Sequence, residues 1–79
     1  MSRADQQSIL DEFGSQVRKL RLAKGLSQEG LAAQAGVHRT YIGMIERGEK
    51  NATLLSMRRI ASALGISVAG LLEGTSDGE

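Results

Sequence analysis

The sequence predicts an all-α fold of five short helices, and three observations support this prediction. Apolar residues recur at intervals of three and four, whereas no stretch shows the strict alternation typical of a strand. Proline is absent, and glycines stand where the helical patterns stop, at Gly25, Gly36, Gly48, Gly65 and Gly74. The 79 residues contain no cysteine, so we expect one small hydrophobic core without disulfides.

The first helix is expected to run from about Ser8, or from Asp5, to Ala23, with Gly25 ending it. Its apolar face consists of residues at helical spacing, namely Ile9 or Leu10, Phe13, Val17 and Leu20. Gly14 lies inside this pattern, where a glycine costs about 1 kcal/mol relative to alanine. The sequence therefore indicates a local weakness at Gly14.

Two short helices joined by a glycine follow. Ser27 is a suitable N-cap for a helix over residues 28–35, which Gly36 ends, and the next helix is expected over about residues 38–47. The small residues of the first of these helices let the second cross it closely, and Val37, Ile42 and Ile45 anchor the second. Two helices joined by such a tight turn are typical of a helix-turn-helix, whose second helix enters a DNA groove.

The last two helices complete the predicted domain. The fourth is capped by Asn51 or Thr53 and ends at Gly65. Its inward face is expected to contain Leu54, Met57, Ile60, Ala61 and Leu64. Ser67 caps a short fifth helix that ends in Leu71 and Leu72. We expect one domain over residues 1–74, followed by a flexible polar tail over residues 75–79.

Charge is distributed unevenly along the chain. The formal net charge is only +1, but residues 14–72 hold nine basic side chains against three acidic ones, a net charge of +6. This surplus of positive charge in the middle of the chain is more informative about binding partners than the overall net charge is. The basic residues are Arg18, Lys19, Arg21, Lys24, Arg39, Arg47, Lys50, Arg58 and Arg59.

Several classes of protein are disfavoured. No apolar run approaches the roughly 20 residues of a membrane span, and the N-terminal residues lack the order of a signal peptide. His38 is the single histidine, so neither a catalytic triad nor a metal-ligand cluster can be assembled around it. We expect a soluble, cytoplasmic protein that is not an enzyme and has no cofactor, metal or membrane partner.

Three segments, "RLAKGLSQEGLAAQAGV", "IERGEKNATL" and "IASALGISVAGLL", resemble the Xre, or phage-repressor-like, helix-turn-helix family over about residues 14–74. The resemblance implies a lambda-repressor-like fold. Within that family, "HRTYIGMIERGEKN" is most similar to the controller proteins of restriction-modification systems. Those are small homodimeric regulators that bind operators upstream of their own gene and of the endonuclease gene.

The resemblance also implies roles for individual residues. Arg39 matches a base-reading position, where the guanidinium can meet both guanine acceptors, O6 and N7, together. Thr40 can offer its hydroxyl to a base edge and its methyl group to thymine, so it is also expected to read a base. Contacts to the DNA backbone are implied or expected for Gln28, His38, Tyr41, Arg47, Lys50 and Asn51. Arg21 and Glu46 match a family pair joined by a partly buried salt bridge. Gly30 departs from the family pattern, because a helix former is expected there.

Structural interpretations stand beside these functional ones. Arg39 could instead be a solvated surface arginine. His38 could act at the start of a helix, and Tyr41 could be half-buried and serve in packing. Other basic residues are interpreted as solvated charges, namely Arg18, Lys19, Arg58 and Arg59.

A dimer is expected because one short helix reads too few base pairs to stand out among ~10⁶ competing sites. A two-fold dimer places its recognition helices about 34 Å apart and requires a pseudo-palindromic operator. The apolar residues of the C-terminal part exceed what the fifth helix needs. We therefore assign them, together with part of the fourth helix, to the dimer interface: Ile66, Val68, Leu71 and Leu72.

The expected partners are a double-stranded DNA operator and a second copy of the chain, with RNA polymerase as a further candidate. Two alternatives stay open. One is a general phage-type repressor, and the other is an antitoxin-like helix-turn-helix module that acts through a protein partner. The antitoxin alternative would require a longer partner-binding extension than the residues after Gly74.

Overall fold

A computed structural model describes residues 2–73, which form five α-helices and no strand. The helices are α1 (Arg3–Ala23), α2 (Gln28–Ala35), α3 (Arg39–Glu46), α4 (Leu54–Leu64) and α5 (Val68–Leu72). The predicted all-α fold of five helices is confirmed. The predicted tail, residues 75–79, and the last residue of the predicted domain, Gly74, lie outside the described residues.

One core is built from all five helices. Helix α2 packs against α3 and α4, while α1 packs against α3 and α5. Burying a leucine, isoleucine or phenylalanine side chain contributes about 1.5–3 kcal/mol, so this core stabilises the packing of α2 against α3. The buried apolar residues are Phe13, Val17, Leu31, Ala32, Ala35, Ile42, Ile45, Ile60, Ala61, Leu64 and Leu71.

Helix α1 begins earlier than the sequence predicts. The Ser2 hydroxyl accepts a hydrogen bond from the Asp5 backbone N–H at 3.1 Å, and the Asp5 carboxylate accepts one from the Ser2 backbone N–H at 3.3 Å. This capping box satisfies two N–H groups that a first turn leaves without partners. The prediction of a start at Ser8 or Asp5 is wrong because it relied on apolar spacing, and residues 3–8 are exposed and polar apart from Ala4.

The other helix ends follow local signals in the sequence. Ser27, Thr53 and Ser67 cap α2, α4 and α5, and each hydroxyl accepts a hydrogen bond from the backbone N–H three residues later. Gly36 and Gly65 end α2 and α4 with φ angles of 72° and 74°, in the left-handed region that favours glycine.

Gly14 allows close packing of α1 against α3, in addition to lowering the helix propensity of α1. The residue is buried, and the end of α3 passes directly over it. A Cβ atom built on Gly14 would overlap the Ile45 carbonyl oxygen and lie 2.9 Å from the Glu46 carbonyl oxygen. The missing side chain therefore lets α1 and α3 touch backbone to backbone.

Two leucines lie differently from their predicted positions. Leu54 was expected to face inward, but it is 72% exposed, because it is the first residue of α4 and that turn lies outside the core. Leu71 was expected in a dimer interface, but its side chain is fully buried. Helix α5 has only five residues, and Leu71 is its one buried position, which closes the core of the chain itself.

Candidate nucleic-acid interface

The candidate interface is built on α2, the turn after it and α3. Helix α3 buries Ile42 and Ile45 completely, and this anchors it against the core. His38 caps the helix, since its Nδ1 accepts a hydrogen bond from the Thr40 backbone N–H at 3.1 Å. The structure therefore gives His38 a role at the start of the helix.

An open groove of about 590 Å³ lies between the first turn of α2 and the outward side of α3. It brings together four residues predicted to contact DNA: Arg39 and Thr40, which were predicted to read bases, and Gln28 and Arg47, which were predicted to contact the DNA backbone. The remaining lining residues are Arg21, Ser27, Glu29 and Gly43.

The other residues that the sequence analysis assigned to DNA lie outside this groove lining. Tyr41 is half-buried and packs against the core cluster. Lys50 and Asn51 are exposed on the segment between α3 and α4. Their side chains are accessible to a partner, and the half-buried Tyr41 is consistent with the packing role considered for it.

A buried ion pair adjoins the groove, and one of its partners, Arg21, lines it. Arg21 Nε lies 2.6 Å from Glu46 Oε2, Arg21 Nη2 donates to Glu46 Oε1 at 3.0 Å, and the two side chains are 7% and 2% exposed. Arg21 Nη1 also donates to the Leu26 carbonyl oxygen at 2.8 Å. The hydrogen bond to Glu46, together with the charge of that carboxylate, raises the pKa of Arg21 although burial opposes the shift. The ion pair ties α1 to the end of α3.

Gln28 extends this network to α2. Its Nε2 donates a hydrogen bond to Glu46 Oε1 at 3.1 Å. An amide nitrogen carries two N–H groups, and one of them suffices for Glu46. This contact was not predicted, because the residue types alone do not show which side chains meet across the turn.

An exposed ion pair spans the rim of the groove. Arg39 Nη1 lies 3.7 Å from Glu29 Oε2, and the two side chains are 67% and 76% exposed. Surface pairs of this kind contribute about 0–1 kcal/mol, so the Arg39 guanidinium stays available to a partner. No role was predicted for Glu29. Its position beside Gln28, as one of few acidic residues in the basic middle of the chain, could have indicated an ion pair with a nearby arginine.

A second exposed ion pair lies at the end of α3. Arg47 Nε donates to Glu49 Oε2 at 2.8 Å. This hydrogen bond lowers the pKa of the Glu49 carboxyl and raises that of Arg47. A Cβ atom at Gly43 would lie 3.1 Å from Arg47 Nη1, so the glycine leaves room for the guanidinium over α3.

The described part of the chain contains no helix with the length and apolar character needed to cross a membrane.

The fold and this basic groove define the class of helix-turn-helix DNA-binding regulators. The chain belongs to the Helix-turn-helix family HTH_3, whose profile matches residues 17–71. This membership confirms the resemblance found in the sequence.

Among relatives, the chain is 46% identical over 67 residues to Control protein C.BamHI from Bacillus amyloliquefaciens, covering 84% of this chain and 83% of the relative. It is 48% identical over 64 residues to Control protein C.SmaI from Serratia marcescens, covering 81% and 76%. The crystal structure of the restriction-modification controller protein C.AhdI from Aeromonas hydrophila superposes with a TM-score of 0.77 at 47% identity, covering 78% of this chain and 94% of that one.

Proposed function

We propose that the protein is a sequence-specific transcriptional regulator that binds a pseudo-palindromic DNA operator as a homodimer and serves as the controller of a restriction-modification system. The observation that carries this proposal is the groove in which Arg39 and Thr40 meet Gln28 and Arg47. The similarity to control proteins supports the same conclusion.

In this proposal, base reading and backbone contact are divided among different residues. Arg39 reads guanine through its two-pronged guanidinium, and Thr40 contacts a neighbouring base. The second amide N–H of Gln28 and the N-terminal turn of α2 contact a phosphate. Arg47, Lys50 and Asn51 add contacts to the DNA backbone. These contacts position the protein on the duplex without reading its sequence.

The decisive experiment is a selection of bound duplexes from a randomised pool at about 0.15 M salt, with wild type and Arg39→Ala in parallel. Wild type is expected to enrich a site with two-fold symmetry. Arg39→Ala is expected to lose preference at defined positions of each half-site, at a cost of about 1–3 kcal/mol per half-site.

Arg59→Ala is the matched control, because Arg59 is an exposed arginine of α4 outside the groove of α2 and α3. It should enrich the same site as wild type. If neither wild type nor Arg39→Ala enriches a sequence, the base-reading proposal fails and the antitoxin-like alternative, action through a protein partner, is favoured.

We assign the dimer interface to the apolar residues of the C-terminal part other than Leu71. Ile66 and Val68 are half-buried, and Leu72 is 39% exposed. With a two-fold dimer, transcription would be controlled by where the operator lies relative to the promoter and to bound RNA polymerase, and we place this action in the cytoplasm.

Leu72→Glu is expected to shift the protein from dimer to monomer, because it places a charge at the proposed apolar interface. Sedimentation equilibrium at micromolar protein measures this shift. Leu54→Glu is the control, since Leu54 is also an exposed leucine but begins α4, at the end away from α5. A Leu72→Glu protein that associates as wild type does would contradict the assignment.

A further inference from the structure

The first turns of α1 precede the segment that matches the helix-turn-helix family, residues 17–71, yet they contact the end of α3. Gln7 makes this contact. Its Nε2 donates to the Gly48 carbonyl oxygen at 2.9 Å and to Asp11 Oδ1 at 2.8 Å. One exposed side chain of α1 therefore holds the backbone of the turn that follows α3.

The Gly48 turn fits closely against α1. Gly48 is buried, has a φ angle of 73°, and its N–H donates to the Ile45 carbonyl oxygen at 3.0 Å. A Cβ atom at Gly48 would overlap Asp11 Oδ1 and lie 3.1 Å from Gln7 Nε2. Gln7 and Asp11 thus cover the turn, and a side chain at residue 48 would have to push both of them aside as well as adopt a φ angle that favours glycine.

The position of the Gly48 carbonyl oxygen sets the orientation of the peptide group from which the following chain departs. A peptide group is planar, so holding the Gly48 oxygen also fixes the orientation of the Glu49 N–H. That N–H donates to the Met44 carbonyl oxygen at 2.8 Å. The chain leaves this peptide toward Lys50 and Asn51, which lie exposed two and three residues later.

We propose that Gln7 is a positioning residue for DNA binding, which holds the Gly48 carbonyl and so orders residues 47–51 before DNA arrives. The inference rests on the proposed function, since it concerns the backbone-contacting residues of that segment. A segment ordered in the free protein loses less conformational freedom on binding, and this increases affinity without a new contact to DNA.

The test uses the full chain and a fluorescent duplex of the sequence that wild type enriches from the randomised pool, with Kd measured by anisotropy at about 0.15 M salt. Gln7→Ala is expected to weaken binding about three- to tenfold, the loss typical of one hydrogen bond. Gln7→Met keeps the length of the side chain without its donor and should show the same loss. Gln6→Ala removes the neighbouring exposed glutamine and should bind as wild type does.

A second arm separates positioning from a general structural role or a direct DNA contact. In a background with both Lys50 and Asn51 replaced by alanine, Gln7→Ala should weaken binding less than about twofold, because its effect acts through these residues. The slope of log Kd against log salt should also become shallower for Gln7→Ala in the otherwise wild-type chain. Urea unfolding of each variant checks that the protein is folded under the binding conditions.

Two results would overturn this inference and leave the proposed function standing. The first is unchanged DNA affinity of Gln7→Ala and Gln7→Met. The second is a loss of affinity on Gln7→Ala that stays just as large in the background without Lys50 and Asn51. If wild type itself binds no duplex from the pool, the proposed function fails and the inference fails with it. The wild-type measurement therefore distinguishes the two failures.

Discussion

Glu46→Ala is expected to lower the free energy of unfolding by about 3–5 kcal/mol, the loss typical of removing one partner from a buried ion pair. The Glu46 side chain is 2% exposed and takes hydrogen bonds from Arg21 at 2.6 and 3.0 Å and from Gln28 at 3.1 Å. Its removal leaves the Arg21 charge in a site that is 7% exposed, with the Leu26 carbonyl oxygen as its other acceptor. Small domains have total stabilities of about 5–15 kcal/mol, so this variant would be close to unfolding.

Urea unfolding at one fixed protein concentration measures this loss, because the stability of the proposed dimer would depend on concentration. Glu49→Ala is the matched control. Glu49 also pairs with an arginine, but its side chain is 52% exposed, and little change is expected. If Glu46→Ala unfolds at the same urea concentration as Glu49→Ala, the buried pair does not stabilise the fold as described.

A double variant identifies the cause of the loss. Arg21→Met with Glu46→Leu replaces both charges by apolar side chains of similar volume, so no unpaired charge remains. Such replacements are often neutral or stabilising. The double variant should therefore be more stable than Glu46→Ala, whereas an equal or larger loss would mean that packing, and not the unpaired charge, determines the effect.

The sequence predicts the ends of α2 and α4 well, because local signals set them. Ser27 and Thr53 cap α2 and α4 through a backbone N–H only three residues away. Gly36 ends α2 because its own φ angle is in the left-handed region. The start of α1 also depends on a local capping box, at Ser2 and Asp5, but apolar spacing was the wrong signal for it because those first turns are exposed.

Contacts between helices were less predictable. The presence of Arg21 and Glu46 as a pair followed from the resemblance to a family, whereas the hydrogen bond from Gln28 and the contact from Gln7 to Gly48 depend on how the helices pack. Leu71 shows the same limit. The sequence shows that this residue is apolar, and a dimer interface was predicted for it, but only the assembled core shows that it is buried within its own chain.

Gly14→Ala is expected to lower the free energy of unfolding by about 2–3 kcal/mol, although alanine is the better helix former by about 1 kcal/mol. The new Cβ atom would overlap the Ile45 carbonyl oxygen and lie 2.9 Å from the Glu46 carbonyl oxygen. Both are backbone atoms of α3, so they cannot rotate away as a side chain can. Either α1 or α3 must shift, and the shift would also disturb the Arg21–Glu46 pair, which joins the same two helices.

Gly43→Ala is the matched control for this prediction. Gly43 also lies within a helix, but the atoms nearest to its added Cβ are the ends of two side chains, Arg47 Nη1 at 3.1 Å and Gln28 Oε1 at 3.5 Å. These side chains can move, so the gain in helix propensity should leave Gly43→Ala as stable as wild type or up to about 1 kcal/mol more stable. Urea unfolding of both variants compares them directly. Opposite signs would separate backbone packing from helix propensity, whereas a Gly14→Ala protein as stable as Gly43→Ala would contradict the close contact between α1 and α3.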